Sequence, residues 1–134
     1  MFINNKQRGG VSTEDVSLQP GEVITGNVVN GIENRQATGK VRLVAVIAAP
    51  PSGCLLVAGL TSKGVTQRGE QRMQILDNGS WGWRGCTYVY GKRLTRLSRI
   101  DVGCHVGWLS PRDAAALAAE FGLDENWANT GEAA

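Results

Sequence analysis

Two apolar runs joined by one short polar turn decide the fold class: Val41-Arg42-Leu43-Val44-Ala45-Val46-Ile47-Ala48-Ala49, then Pro50-Pro51-Ser52-Gly53, then Cys54-Leu55-Leu56-Val57-Ala58-Gly59-Leu60. Each run is short, rich in Val, Leu and Ala, and bounded by turn formers, so each reads as a strand. The prolines and Gly53 make the link a tight turn, which folds the second strand back along the first. Working outward, further runs of strand character cover Glu22 to Val29, Gln71 to Leu76, Cys86 to Tyr90, Leu94 to Ile100 and Val102 to Trp108. Asp77-Asn78-Gly79-Ser80 punctuates them as another turn. In the last run Val102, Cys104, Val106 and Trp108 recur with period two, which predicts one core-facing side. One helix is signalled over about 111–121. Ser110 is its cap, Pro111 its first residue, Asp113 completes an approximate capping box and Gly122 stops it. Leu109 is set to staple against Ala114. Many short strands, one closing helix and 18 glycines for sharp corners predict a mainly β, strongly bent small barrel.

The chain has 134 residues, enough for one domain. With 42% hydrophobic and 19% charged residues it is expected to fold rather than stay disordered. Residues 1–20 read as a polar leader, 21–123 as the barrel domain and 124–134 as an acidic tail. The apolar run ending at Pro51 falls far short of the roughly 20 residues of a membrane span. Met1 to Gly10 lacks the apolar segment of a secretion signal. Cys54, Cys86 and Cys104 form no CxxC pair, so each is expected to be a small buried residue, and a cytoplasmic setting without metal or cofactor fits best. The net charge of +2 is unevenly spread. All 14 Lys and Arg lie at or before Arg112, whereas Asp113, Glu120, Asp124, Glu125 and Glu132 have no basic residue among them. A basic body suits an anionic partner.

The residues that can act on such a partner sit at strand ends. Arg42 stands where the polar loop Gly31 to Lys40 meets a rigid strand, a position that holds a guanidinium fork firmly against phosphate oxygens. Thr61, Ser62 and Lys63 add two hydroxyls and an ammonium at the end of the next run, so that together they resemble an oxyanion pocket. Lys92, Arg93, Arg96 and Arg99 lie near Trp81, Trp83, Tyr88 and Tyr90, and cations beside aromatics are what single-stranded nucleic acid needs. The tryptophans read first as core or dimer interface and second as stacking surfaces, because a small barrel needs large side chains to fill it. His105, alone on a Gly-flanked strand, reads first as structural and second as a proton carrier.

In this order the elements resemble the MazF/PemK family of toxin endoribonucleases. The resemblance lies in Gly21 to Gly31, the loop Glu33 to Gly39, Arg42 before its apolar strand, Gly59-Leu60-Thr61-Ser62-Lys63, Leu97-Ser98-Arg99-Ile100 and Gly107-Trp108-Leu109-Ser110-Pro111. It implies an SH3-like barrel, a homodimer that cleaves single-stranded RNA without metal or cofactor, and a small acidic antitoxin as partner. By position, Arg42 matches the family's catalytic arginine and Thr61 its active-site threonine. Glu33 and His105 are both candidates for the general base. Arg35, Lys40, Ser62, Lys63, Lys92, Arg93 and Arg96 are the expected RNA contacts. The chain departs from the family pattern at Leu43 and Gly59, where the family has proline, and around Tyr90-Gly91-Lys92, where it has an Asp-Gln pair. A second function stays open beside the first: a non-catalytic barrel that binds nucleic acid or a protein, as the related CcdB-type toxins bind a topoisomerase.

Overall fold

The structure is a computed structural model that describes residues 18–28 and 40–128. It is mainly β. Among the described residues, seven antiparallel strands form one curled, half-barrel sheet that carries a single C-terminal helix. In chain order they are β1 (Glu22–Val28), β2 (Lys40–Ala48), β3 (Leu55–Thr61), β4 (Gln74–Ile75), β5 (Thr87–Val89), β6 (Thr95–Leu97) and β7 (Val102–Trp108), followed by α1 (Pro111–Phe121). Across the sheet the order is β4-β5-β3-β2-β1-β7, and β6 adds to β3 off this path.

The unbroken apolar run of β2 has a simple cause: the strand is central and buried on both faces. Leu43, Ala45 and Ile47 join one core with Leu109, Ala114 and Leu117 of the helix segment. Val44 and Val46 join a second core on the opposite face with Ile24, Leu55, Val57 and Leu97. Each such side chain removed from water contributes about 1.5 to 3 kcal/mol, and β2 serves both layers at once.

Strand β3 bends the sheet by changing partners. Its first half, Leu55 to Val57, pairs with Leu97 to Thr95 of β6, whereas Leu60 and Thr61 pair with Val89 and Tyr88 of β5. The curl brings β6 over β1, so closely that a Cβ added at Gly26 would lie 2.8 Å from a Leu97 methyl. The turn between β2 and β3 is clamped from outside. Arg99 donates from Nε to the Gly53 carbonyl at 3.0 Å and from its terminal nitrogen to the Pro50 carbonyl.

The helix ends as expected. Ser110 Oγ accepts from the Asp113 amide at 3.2 Å, and Gly122, at φ 68°, closes the last turn. Asp113, however, makes no reciprocal capping box. Its buried carboxylate instead accepts from the amides of Leu76 and Asp77, both at 2.9 Å, and so ties the segment after β4 to the helix start.

Other expectations need correction. The run Gln71 to Leu76 is strand only at Gln74–Ile75, since Gln71 instead closes a short hairpin with Val65. Within Leu94 to Ile100 only Thr95–Leu97 is strand, and a 3₁₀ turn over Arg99–Asp101 follows. The period-two face of β7 does not form a core side: Cys104 is exposed and Val102, Val106 and Trp108 are only half-buried. Two register shifts against β1 break the alternation, and β7 is the last strand of the sheet path. All three cysteines are exposed, not buried. The expected leader lies outside the described residues except for 18–20, of which Leu18 packs on the second core. Beyond the expected boundary at 123, Trp127 and Ala128 still pack on the helix-side core, with the Trp127 indole donating to the Ala114 carbonyl at 2.9 Å. Among the described residues no helix is long and apolar enough to cross a membrane.

Candidate functional site

Antiparallel pairing puts the start of β2 beside the end of β3, and β5 crosses there against Leu60 and Thr61. A cavity of about 950 Å³ opens at this corner of the sheet. Arg42 enters it from β2, Thr61 from β3, and Ser62 and Lys63 from the segment that follows. The strand-end residues picked out by the sequence thus meet in one place.

The opposite wall is a small hairpin turn. Thr66 organises it: its amide donates to the Glu70 carbonyl at 2.9 Å, while its hydroxyl accepts from the amides of Arg68 and Glu70 at 3.2 and 3.1 Å. Gly69 sits at φ 86°, a conformation that glycine adopts without strain, and this sets Arg68 at the tip. Val65 and Gln71 close the hairpin as a bridge. Arg68 and Glu70 both line the cavity.

Arg72 locks these walls together. Its Nε donates to the Tyr90 carbonyl at 2.8 Å, and one terminal nitrogen donates to the carbonyls of Lys63 and Val65 at 3.0 and 3.3 Å. Its guanidinium carbon also stands 4.9 Å from the Tyr90 ring centre. Arg42 approaches the same ring at 5.6 Å. The two arginines differ in one respect that matters for function. Arg72 is engaged with backbone carbonyls, whereas Nε of Arg42 is buried and has no hydrogen-bond partner among the described residues. A buried, unpaired guanidinium donor is costly unless something supplies an acceptor.

The charge of the cavity follows from its lining. Arg42, Lys63, Arg68 and Arg72 face a single carboxylate among the described lining residues, Glu70. Val41, Val65, Trp83 and Tyr90 expose apolar surface around the same opening. Such a mixture suits an anion that carries flat, apolar groups. Tyr88, opposite Thr61 in the β3–β5 pair, has its phenol pushed up by the neighbouring Cys86 and stays neutral.

Other expected site residues lie elsewhere. His105 is on β7 with Nδ1 at 2.7 Å from the buried carboxylate of Glu22, and its ring tilts against Trp108. It is not among the residues lining the cavity. Lys92, Arg93 and Arg96 are exposed but outside the lining of the large cavity, and Arg99 is occupied by the Pro50 to Gly53 turn. Glu33 and Arg35 fall outside the described residues, as does the side chain of Lys40. Trp81 is a packing residue, donating from its indole to the Trp108 carbonyl at 2.9 Å. The contributions of Thr66, Arg68, Glu70 and Arg72 were not visible as a site in sequence. The Thr-Gln-Arg-Gly stretch at 66–69 signals a turn, but nothing local says which wall it forms. Among the described residues no group of His, Cys, Asp or Glu side chains is placed to hold a metal ion.

No protein-family model matches the chain, and no curated protein matches it either.

Proposed function

We propose that the chain is an endoribonuclease of the MazF/PemK kind, which cleaves single-stranded RNA by using the RNA's own 2'-hydroxyl as nucleophile. The observation that carries this reading is the buried Nε of Arg42, unpaired among the described residues, in the same cavity as Thr61. The order of motifs from Gly21 to Pro111 adds to it.

The 2'-oxygen loses its proton to a base and bonds to the adjacent phosphorus, and the bond from phosphorus to the 5'-oxygen breaks. The departing oxygen takes up a proton, which leaves a cyclic phosphate and a 5'-hydroxyl end. Negative charge accumulates on the phosphoryl oxygens as the new bond forms. Donors fixed in advance, such as the Arg42 guanidinium and the Thr61 hydroxyl, stabilise that charge without having to reorganise. Glu70, the carboxylate in the described lining, joins Glu33 as a candidate for the base, whereas His105 stands outside the cavity against Glu22. A guanidinium stays protonated and does not serve as one. The homodimer and the small acidic antitoxin belong to the same proposal, and their support is the family resemblance.

The test is cleavage of a long, varied transcript by the purified protein in EDTA. Cutting is expected to persist, to leave 5'-hydroxyl ends and to fail where the 2'-hydroxyl of the scissile nucleotide is replaced by hydrogen. RNA that is bound but never cut would instead assign the cavity to a non-catalytic binding module.

A further inference from the structure

Beside the large cavity lies a smaller one of about 190 Å³, and Thr66, Glu70, Arg72 and Tyr90 belong to both. The two therefore share a wall, yet their chemistry differs. The larger is dominated by cations. The smaller brings Met73, Val89 and Tyr90 together with Lys92 and two acidic residues, Glu70 and Glu120. Glu120 comes from the exposed face of α1, so helix and sheet both build this pocket.

A cationic cavity beside a smaller one that mixes apolar and polar side chains suits one nucleotide unit, phosphate in the first and base in the second. The polar groups also discriminate among bases. A carboxylate only accepts hydrogen bonds, and its two oxygens match two parallel donors. Guanine presents such a pair, N1–H and the N2 amino group, and next to them the O6 acceptor that an ammonium can meet. Adenine and cytosine place an unprotonated ring nitrogen beside their amino group, which a carboxylate repels. Uracil has one N–H between two carbonyl oxygens.

We propose that the smaller cavity is a guanine-selective pocket for the base next to the phosphate at Arg42, with Glu120 accepting from N1–H and N2–H and Lys92 donating to O6. The proposal rests on the RNA reading of the larger cavity. Arg72, bonded to the carbonyls of Tyr90, Lys63 and Val65, fixes the shared wall and so sets the distance between the two subsites.

The experiment measures binding, so it does not depend on cleavage. Uridine hexamers carrying 2'-O-methyl groups, with G, A or C replacing one central base, are titrated by fluorescence anisotropy. The G-containing oligomer is expected to bind roughly tenfold tighter than the others, the discrimination usual for one paired-donor contact. Glu120→Gln, a conservative change at an exposed helix position, should erase that preference while leaving affinity for all-uridine RNA within about twofold, and Lys92→Ala should reduce it. RNA binding with no base preference would overturn the pocket and leave the RNA reading standing. A preference for G that survives both substitutions would overturn the assignment of these residues. Absence of any RNA binding would overturn both readings together.

Discussion

His105 Nδ1 lies 2.7 Å from Oε2 of Glu22, and this contact joins β7 to the first residue of β1. Glu22 is 1% exposed, and its other carboxylate oxygen accepts from the Gln19 amide at 3.1 Å. A buried carboxylate with so few partners depends on each of them. His105→Ala is therefore expected to cost about 1 to 3 kcal/mol in urea denaturation, the penalty of a buried polar group left short of a partner. Since His105 does not line the cavity, RNA cleavage by the folded variant should be unchanged. Cleavage abolished at undiminished stability would make His105 the general base after all.

Arg42→Ala and Thr61→Ala act at the other end of the sheet. Loss of one preset donor to transition-state charge costs on the order of 100- to 1000-fold in rate. Arg42→Ala should show that loss with an unchanged circular dichroism spectrum, and it should also remove a buried unpaired donor, so stability is not expected to fall. Thr61→Ala should be slower than the parent but less damaged, since Ser62 supplies a neighbouring hydroxyl. Single-turnover cleavage rates check both.

Ground-state affinity has its own signature. Lys63 and Arg68 line the cavity, whereas Arg93 and Arg96 do not. Lys63→Ala and Arg68→Ala are each expected to flatten the log-log salt dependence of single-stranded RNA binding by about 0.7, the value of one lost phosphate contact. The Arg93→Ala, Arg96→Ala double variant tests whether RNA continues over the outer surface as well. An unaltered slope in that variant would confine the RNA to the cavity.

Gly64 gives a steric probe of the same region. A Cβ at this position would stand 2.7 Å from Cζ of Tyr88, inside any tolerable contact. Gly64→Ala should therefore push Tyr88 aside at about 1 to 3 kcal/mol, the usual range for overpacking. Thermal denaturation measures the cost. A folded variant that also loses cleavage would show that the segment from Thr61 to Val65 has to hold its position.

Acid stability should report on Asp77. Its carboxylate accepts from Arg112 Nε at 2.7 Å, from the second guanidinium nitrogen at 2.8 Å and from Ser110 Oγ at 2.5 Å. The Arg112 bonds foremost, then that of Ser110, hold its pKa down to about 2 from the usual 3.8. A carboxylate depressed in the folded state stabilises above its unfolded pKa, and the effect disappears as pH falls through the folded value. The parent should exceed Asp77→Asn in stability at pH 5, and the gap should close between about pH 4 and 2. The pair is partly exposed, so added salt should narrow the gap at pH 5.

Much of the fold was legible because its signals are local. The β2–β3 pair announces itself through two apolar runs around Pro50 to Gly53, and α1 through Ser110, Pro111 and Gly122. Strand β7 misled because alternation marks a face only while the register is regular, and the bulges opposite Ile24 are set by the partner strand. Asp113 looked like a capping box, yet its acceptor oxygens are claimed by Leu76 and Asp77, more than 30 residues away in sequence. The same distinction applies to the cavity. Arg42 and Thr61 stood out as strand-end residues, whereas Arg72 takes on its role only when Lys63, Val65 and Tyr90 converge on it in space.

The double burial of β2 has a kinetic consequence. Amide hydrogens of a central strand covered on both faces exchange only when the whole sheet opens, so β2 and its neighbour β3 should be the slowest-exchanging part of the chain. The hairpin over 65–71 is held by few backbone bonds and lies at the surface, so it should open in isolated excursions. The cavity thus joins an unyielding floor, which carries Arg42 and Thr61, to a compliant rim, which carries Arg68 and Glu70. Ligand entry can deform the rim without disturbing the aim of the floor, and protection gained on binding should appear at 65–71 while exchange in β2 is governed by global unfolding alone.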